Sequence, residues 1–375
     1  MIRKLSLNLD NSNTKKAQIL LDVLTESKYV INFYIQKYWN FNGKLNINCL
    51  KTEYLNCETW FSKRLQQNCA KQALGIVKSI RSNEKRIIQK NLKRKKPKTL
   101  PSMPIFNGNN LMLSETNIEI QFGENSFDFW IKFYCLGRKL QILIPTKSYD
   151  YLQKYIKSGW ILKKSASLNL RNGKLFLDVI FEKEAPQIKV SGKIIGIDIG
   201  CNKLVATSEK EFLGTEFKQI VSKLTRKLRG SKSYNKALKE RNDYINFELK
   251  KLELGNLQTI VLEDLKYVKY KSKLPKFMNN KLQYWVYPKI VNKISQLAEE
   301  SGVQLTFVNP AFTSQKCIQC GVVDPKNRAN ELFSCINCQF VEDADFVGSI
   351  NILQRFLGQE NMVPGIKSGD FCNVL

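Results

Sequence analysis

Two cysteine doublets constrain this chain more than any other feature. Cys317 and Cys320 enclose two residues, fourteen residues follow, and Cys335 and Cys338 repeat the doublet. Each doublet makes a tight turn that presents two thiolates, and two such turns close on one tetrahedral ion. The segment 312–342 is therefore expected to fold as a ribbon around a metal. Zinc fits best; iron is the main competitor and a redox role the lesser one. Four thiolates leave no open position for water, so the ion is structural. The other six cysteines, Cys49, Cys57, Cys69, Cys135, Cys201 and Cys372, are scattered and read as reduced structural thiols rather than a disulfide framework.

Charge narrows the partner. Lysine and arginine number 60 against 33 acidic residues, a formal net charge of +27. Such a surface repels itself unless a polyanion is near, and neutralisation of phosphates by Lys and Arg makes nucleic acid the leading partner. A merely solubilising surface is the bland alternative. No segment approaches the roughly 20 apolar residues of a spanning helix, and MIRKLSLNLD is not a signal peptide, so the expectation is a cytoplasmic protein without a membrane partner. The chain has no histidine at all. Ser-His-Asp triads, Cys-His proteases and His-ligated metal hydrolases are excluded, and any chemistry falls to carboxylates, lysines, tyrosines or thiols.

At 375 residues with 43% apolar side chains the chain supports two or three domains. Residues 1–10 read as a short strand. A helical region follows over 11–96, with apolar residues at three- and four-residue spacings, and ends in a basic run from Lys85 to Lys98. Beside the aromatics Tyr34, Tyr38, Trp39, Trp60 and Phe61, that run (Lys85, Arg86, Lys93, Arg94, Lys95, Lys96) favours RNA or DNA contact over a solvated helix face. Past Pro97, Pro101 and Pro104 the pattern turns to period two, and SASLNL and KLFLDVIF flank Asn172-Gly173, a hairpin signal. Residues 97–190 are expected to form a small antiparallel barrel or sandwich to which the first strand belongs. From 191 to 357 strands and helices alternate, with one basic helix expected over roughly 216–252 and a long helix ended by Gly302; the tail 358–375 is irregular.

Within that α/β part lies KIIGIDIG, residues 193–200, where Asp198 interrupts an apolar run. An idle buried carboxylate is too costly to keep. Glu263 ends another apolar strand run, TIVLEDL, and Asp345 precedes an apolar stretch that begins a helix. Each alone reads as a cap or a salt bridge. Together, in a histidine-free basic chain, they are suited to hold two divalent cations, and paired Mg²⁺ ions activate the attacking water and stabilise the leaving oxygen in phosphodiester hydrolysis.

GIDIG, then LED, then TSQKCIQCG and DADFVGSINI resemble the RuvC nuclease domain of the transposon-encoded TnpB proteins and the related compact type V CRISPR effectors. The resemblance covers about 190–355. It implies a multidomain α/β fold: an RNase H-like RuvC domain over 191–357 with a zinc-ribbon insertion over 312–342, preceded by an antiparallel β-barrel wedge (1–10 and 97–190) and a helical recognition domain (11–96). It implies that Asp198, Glu263 and Asp345 are the catalytic Mg²⁺ ligands, with Asp264 and Asp343 as near alternatives. It further implies a guide RNA from the transposon end, a double-stranded DNA target, a monomer, and a bacterial or archaeal source. Two positions depart from the family pattern. Its usual asparagine is Val347 here and its usual arginine is Glu331, for which Arg328 is the substitute at hand. A guided DNA-binding regulator that has lost cleavage, and an unguided resolvase, are the competing readings.

Overall fold

The computed structural model describes residues 1–358 except 42, 44, 93, 95, 124, 125 and 266–285. The chain divides into two compact units, Met1–Glu184 and Ala185–Leu375.

In the first unit, β1 (Ile2–Asn8) leads into α1 (Thr14–Trp39), which Asn13 caps by accepting from the Lys16 amide at 2.9 Å. Helix α2 (Lys63–Asn91) packs on α1, and Ser62 caps it. Strands β2 (Asn110–Leu113), β3 (Ile118–Phe122), β4 (Phe129–Phe133) and β5 (Ile142–Thr146) precede a short helix, α3 (Asp150–Lys157), and the hairpin of β6 (Ile161–Arg171) and β7 (Lys174–Glu182). Asn172 and Gly173 both take positive φ, 51° and 77°, as a two-residue hairpin turn requires. The first strand joins this hairpin, with Leu5 opposite Val179.

Of the two expected forms, barrel or sandwich, the described strands make no single closed barrel. The strands pair into two separate sheets, β1-β7-β6-β2 and β3-β4-β5. The β6–β7 ladder breaks its register between Leu162 and Ala166, and β3, β4 and β5 pair in chain order as an open meander. Both sheets and both long helices feed one apolar cluster that includes Leu7, Ile31, Leu65, Ile131 and Leu177. Strand β2 and helix α3 are additions to the sequence reading; four residues are too few to display a period, and the helix sits inside a loop rich in lysine and tyrosine.

The second unit is built on a five-stranded sheet of order β10-β9-β8-β11-β12. Its strands are β8 (Lys193–Asp198), β9 (Val205–Thr207), β10 (Phe212–Leu213), β11 (Leu257–Glu263) and β12 (Gln304–Val308). Strands β8, β11 and β12 run parallel, while β9 and β10 are antiparallel. The expected single basic helix is two, α4 (Phe217–Thr225) and α5 (Lys232–Leu249). Gly230 at φ 83° and Ser231, which caps α5 by accepting from the Tyr234 amide at 3.1 Å, separate them. Helix α6 (Tyr287–Ser301) ends at Gly302 in the left-handed region, as the sequence indicates; the preceding Leu282–Trp285 lie outside the described residues.

Alternation along the strands places helices on both faces. Ile195, Ile197, Ile260 and Leu262 pack against α5 and α6, whereas Ile194 and Val261 face Ile352 of α7 (Ala344–Phe356). Gly196 permits the close approach of α7: a Cβ there would stand 2.1 Å from the Ser349 carbonyl oxygen. Between β12 and α7 lies a three-stranded ribbon of β13 (Arg328–Ala329), β14 (Leu332–Ser334) and β15 (Val341–Asp343).

Candidate active site and metal centre

Parallel pairing sets the first two carboxylates side by side. Ile197 of β8 is in register with Leu262 of β11, so the next residues, Asp198 and Glu263, end adjacent strands roughly 4.8 Å apart. Asp345 arrives from the other direction, in the first turn of α7. Asp345 is 5% exposed, while Asp198 and Glu263 remain partly open, so the group forms a recess and not a sealed core. Room for Asp198 comes from Gly348, where a Cβ would stand 2.9 Å from Asp198 Oδ2.

Two of these charges act on Asp198. Burial pushes the Asp198 carboxyl well above the usual carboxylate range; the charges of Glu263 and Asp345 add to the rise, and Arg328 opposes it. Glu263 is raised too, again chiefly by burial, with the Thr313 hydroxyl and Arg355 pulling the other way. Thr313 Oγ1 donates to Glu263 Oε1, and the Tyr287 hydroxyl donates to the Glu263 carbonyl oxygen. Among these groups the close cation is Arg328, whose Nη2 lies 2.6 Å from Asp345 Oδ1. Arg328 thus sits where a positive group beside the carboxylates is needed, supplied from β13 of the ribbon. Glu331, at the family's arginine position, instead accepts from Asn202 Nδ2 at 2.6 Å. Val347 is fully buried in the ribbon's apolar cluster.

The near alternatives separate on contacts. Asp343 caps α7: its Oδ1 accepts from the Asp345 and Phe346 amides at 3.0 and 3.1 Å, and its Oδ2 is taken by Lys203. Both of its oxygens are occupied in holding the helix. Asp264 follows Glu263 and donates its amide to the Val308 carbonyl at 2.9 Å.

Lys203 is a residue that sequence reading missed. It belongs to the loop after β8, so the Lys203–Asp343 pair fastens the loop that follows Asp198 to the helix that carries Asp345. The pair is largely enclosed, with side-chain exposures of 16% and 23%. Its Nζ also stands 4.5 Å from the Phe212 ring centroid. Lys203→Met leaves Asp343 without its ion partner and should cost about 1–3 kcal/mol, read as a lower melting temperature; an unchanged melting curve would mean the capping amides hold α7 alone.

The four ribbon cysteines come together as the spacing requires. Their sulfurs all lie within 4.8 Å of one another. Cys317 and Cys338 are 3.6 Å apart and Cys320 and Cys335 3.5 Å, close to the roughly 3.8 Å edge of a tetrahedron with 2.3 Å metal–sulfur bonds. The Val322 amide is the largest influence on Cys320 and helps pull its thiol down to about 6. Cys338 receives an amide from Phe340, yet burial and the neighbouring sulfurs push it up to about 12. Four such groups cannot all ionise without a cation between them, so the donor set fits a zinc ion. The carboxylate recess, three acids with one arginine, fits hard divalent cations such as Mg²⁺.

The Cas12f1-like TNB domain family matches residues 287–352, the stretch from α6 through the ribbon to α7. A TnpB-like protein of Aquifex aeolicus is 32% identical over 109 residues, 28% of this chain and 35% of that one. Over that stretch the chain is similar to TnpB-like proteins. A CRISPR-associated endodeoxyribonuclease Cas12f2 of a Micrarchaeota archaeon is 24% identical over 345 residues, covering 77% of this chain and 61% of the relative. The matches thus span less than two thirds of either relative's length. Among solved structures, a Cas12f1 bound to guide RNA and target DNA superposes with a TM-score of 0.56 at 16% identity, over 90% of this chain and 82% of that one. That likeness concerns the fold, a multidomain α/β architecture.

Of the basic run, Lys85 and Arg86 lie on the last turns of α2, and Arg94 and Lys96 are exposed beyond it; Lys93 and Lys95 lie outside the described residues. No described helix is long and apolar enough to cross a membrane.

Proposed function

We propose that this chain is an RNA-guided DNA endonuclease whose second unit is an RNase H-like RuvC domain. The observation that carries the reading is the convergence of Asp198, Glu263 and Asp345 from two parallel strand ends and a helix start, with the Asp198 and Glu263 carboxyls raised chiefly by burial. A fold keeps such an arrangement when cations are to be bound in it. The order β10-β9-β8-β11-β12, with helices on both faces, supports that reading.

In this reading Asp198, Glu263 and Asp345 would together hold two Mg²⁺ ions. When bound, the ions supply an activated water and a stabilised leaving oxygen. The chain's own residues do the positioning. Thr313 fixes the Glu263 carboxylate, Asp343 and Lys203 aim the first turn of α7, and Arg328 holds Asp345 and lends positive charge beside the phosphate. Without histidine, no imidazole takes part in proton transfer. Cys317, Cys320, Cys335 and Cys338 of the ribbon would hold one structural zinc. Residues 1–10 and 97–190 serve as a wedge and 11–96 as a recognition part for guide RNA, with Lys85, Arg86, Lys93, Arg94, Lys95 and Lys96 on phosphates. Sequence choice then rests on base pairing, with the protein reading only a short flanking duplex motif.

The test is to purify the chain from cells carrying its native flanking DNA and sequence the RNA that comes with it. A single species with a constant structured part and a 3′ segment matching DNA beyond the gene is expected. A mixture of ribosomal and transfer RNA would sink the guided reading and leave an unguided nuclease.

A further inference from the structure

Helix α4 carries a charged face that the carboxylate recess does not use. Phe217 and Leu224 are fully buried beneath it, while Lys218, Gln219, Ser222, Lys223, Arg226 and Lys227 line a concavity of about 520 Å³ on its outer side. These positions form two neighbouring rows at four-residue spacing, 218-222-226 and 219-223-227, on one face of the helix and its C-terminal extension. Like charges at that spacing repel. Glu240 of α5 answers Lys223 at 2.7 Å, but among the described residues no carboxylate answers Lys218, Arg226 or Lys227. The fold therefore keeps four cations against one acid on a concave face.

The face also begins beside the recess. The Lys218 amide donates to the Asn202 carbonyl at 3.1 Å, and Asn202 belongs to the loop that leaves β8 after Asp198. From there α4 runs nine residues, about 13 Å at 1.5 Å each, enough for about four successive phosphates at the 3.4 Å spacing of one stacked strand. At the same end, the Tyr244 hydroxyl accepts from the Glu216 amide at 3.3 Å, and one turn further along α5 the ring of Phe247 is 63% exposed.

We infer that this α4 face is a track for the sugar–phosphate backbone of a single DNA strand passing to or from the carboxylate recess. A single strand is required because Asp345 and its neighbours are recessed, so a phosphate reaches them only when its strand has left the duplex. The inference rests on the nuclease reading above and adds where the cut strand runs.

The test is binding without cleavage. Full-length protein in EDTA is titrated with fluorescent oligothymidine over a series of KCl concentrations. The variant combines Lys218→Gln, Arg226→Gln and Lys227→Gln; the control combines Lys232→Gln, Lys236→Gln and Lys239→Gln on the neighbouring α5. All six positions are exposed, so the fold is not at stake. Each lost phosphate contact removes about 0.7 from the slope of log K against log salt for a single strand, so the α4 variant should lose about 2 and the control none. Equal slopes for wild type and the α4 variant, or equal losses for both triples, would overturn the track and leave the nuclease reading standing. Wild-type protein that fails to bind the oligonucleotide would likewise overturn the track, whereas the nuclease reading stands or falls with the co-purified RNA.

Discussion

Replacing Asp198 by asparagine is expected to abolish DNA cleavage and, in the metal-free protein, to raise the melting temperature. Asparagine keeps the shape that fits against Gly348 but carries no charge. For cleavage the loss should exceed about 100-fold, the upper range for removing even an outer-shell partner of a metal. Stability moves the other way because the wild-type carboxyl is held at a cost. A carboxyl whose folded pKa lies above its unfolded value keeps a proton that the unfolded chain has released. Stability therefore falls as pH rises from about 4 towards the folded pKa. Asp198 is such a group, through burial and then Glu263 and Asp345. The variant should remove much of that pH slope, the remainder staying with Glu263, and gain on the order of 1 kcal/mol at neutral pH, about 2–4 °C for a unit of this size. Most substitutions destabilise, so a rise is diagnostic. Thermal unfolding in EDTA at pH 5 and pH 8, beside cleavage of a plasmid by the guide-loaded protein, gives both readouts. A variant that melts lower at pH 8, or that still cuts, would remove Asp198 from the metal site.

Much of this site could be read from the sequence because its chemistry is carried by residues at the ends of periodic segments. Asp198 and Glu263 stand out where apolar runs stop, and a cysteine doublet is a local signal that needs no partner to be recognised. The groups that hold those residues in place could not be read in the same way. Lys203 and Asp343 are 140 residues apart in sequence, and nothing in either stretch announces the other. Arg328 was visible only as a candidate, because its use depends on the ribbon bringing β13 beside α7. Glu331 explains itself only with Asn202 at its side. The same holds for the fold. The Asn-Gly hairpin and the joining of β1 follow from local alternation, but whether the strands close into one barrel or two sheets depends on a register break in β6 that alternation does not encode. The break between α4 and α5 was there to be seen in Arg-Gly-Ser, but the surrounding lysines and leucines carried a helical period across it.

Cys335→Ser is expected to empty the ribbon of zinc and to loosen the start of α7 along with it. Serine oxygen is a poor substitute for a thiolate, and three remaining sulfurs do not close a tetrahedral site. The ribbon has little else to hold it. Its buried apolar cluster comprises Cys317, Phe333, Cys335, Ala344 and Val347, so two of its five members are the ligands themselves. Structural zinc contributes about 10–16 kcal/mol to the folding of small zinc-finger peptides, far more than those side chains recover. The loss should therefore appear as a separate early unfolding transition and as rapid proteolysis between 312 and 342, with the five-stranded sheet still melting late. Ala344 and Val347 belong to α7, flanking Asp345, and Arg328 belongs to the ribbon. Unfolding the ribbon therefore removes both the cation that holds Asp345 and the packing that seats its helix turn, and cleavage should fall with the zinc content although no cysteine touches the carboxylates. Zinc content by atomic absorption, limited proteolysis and cleavage measured on one preparation test the chain of cause. Full zinc with an intact ribbon would reject the metal assignment. Zinc lost while cleavage stays whole would show that α7 holds Asp345 unaided.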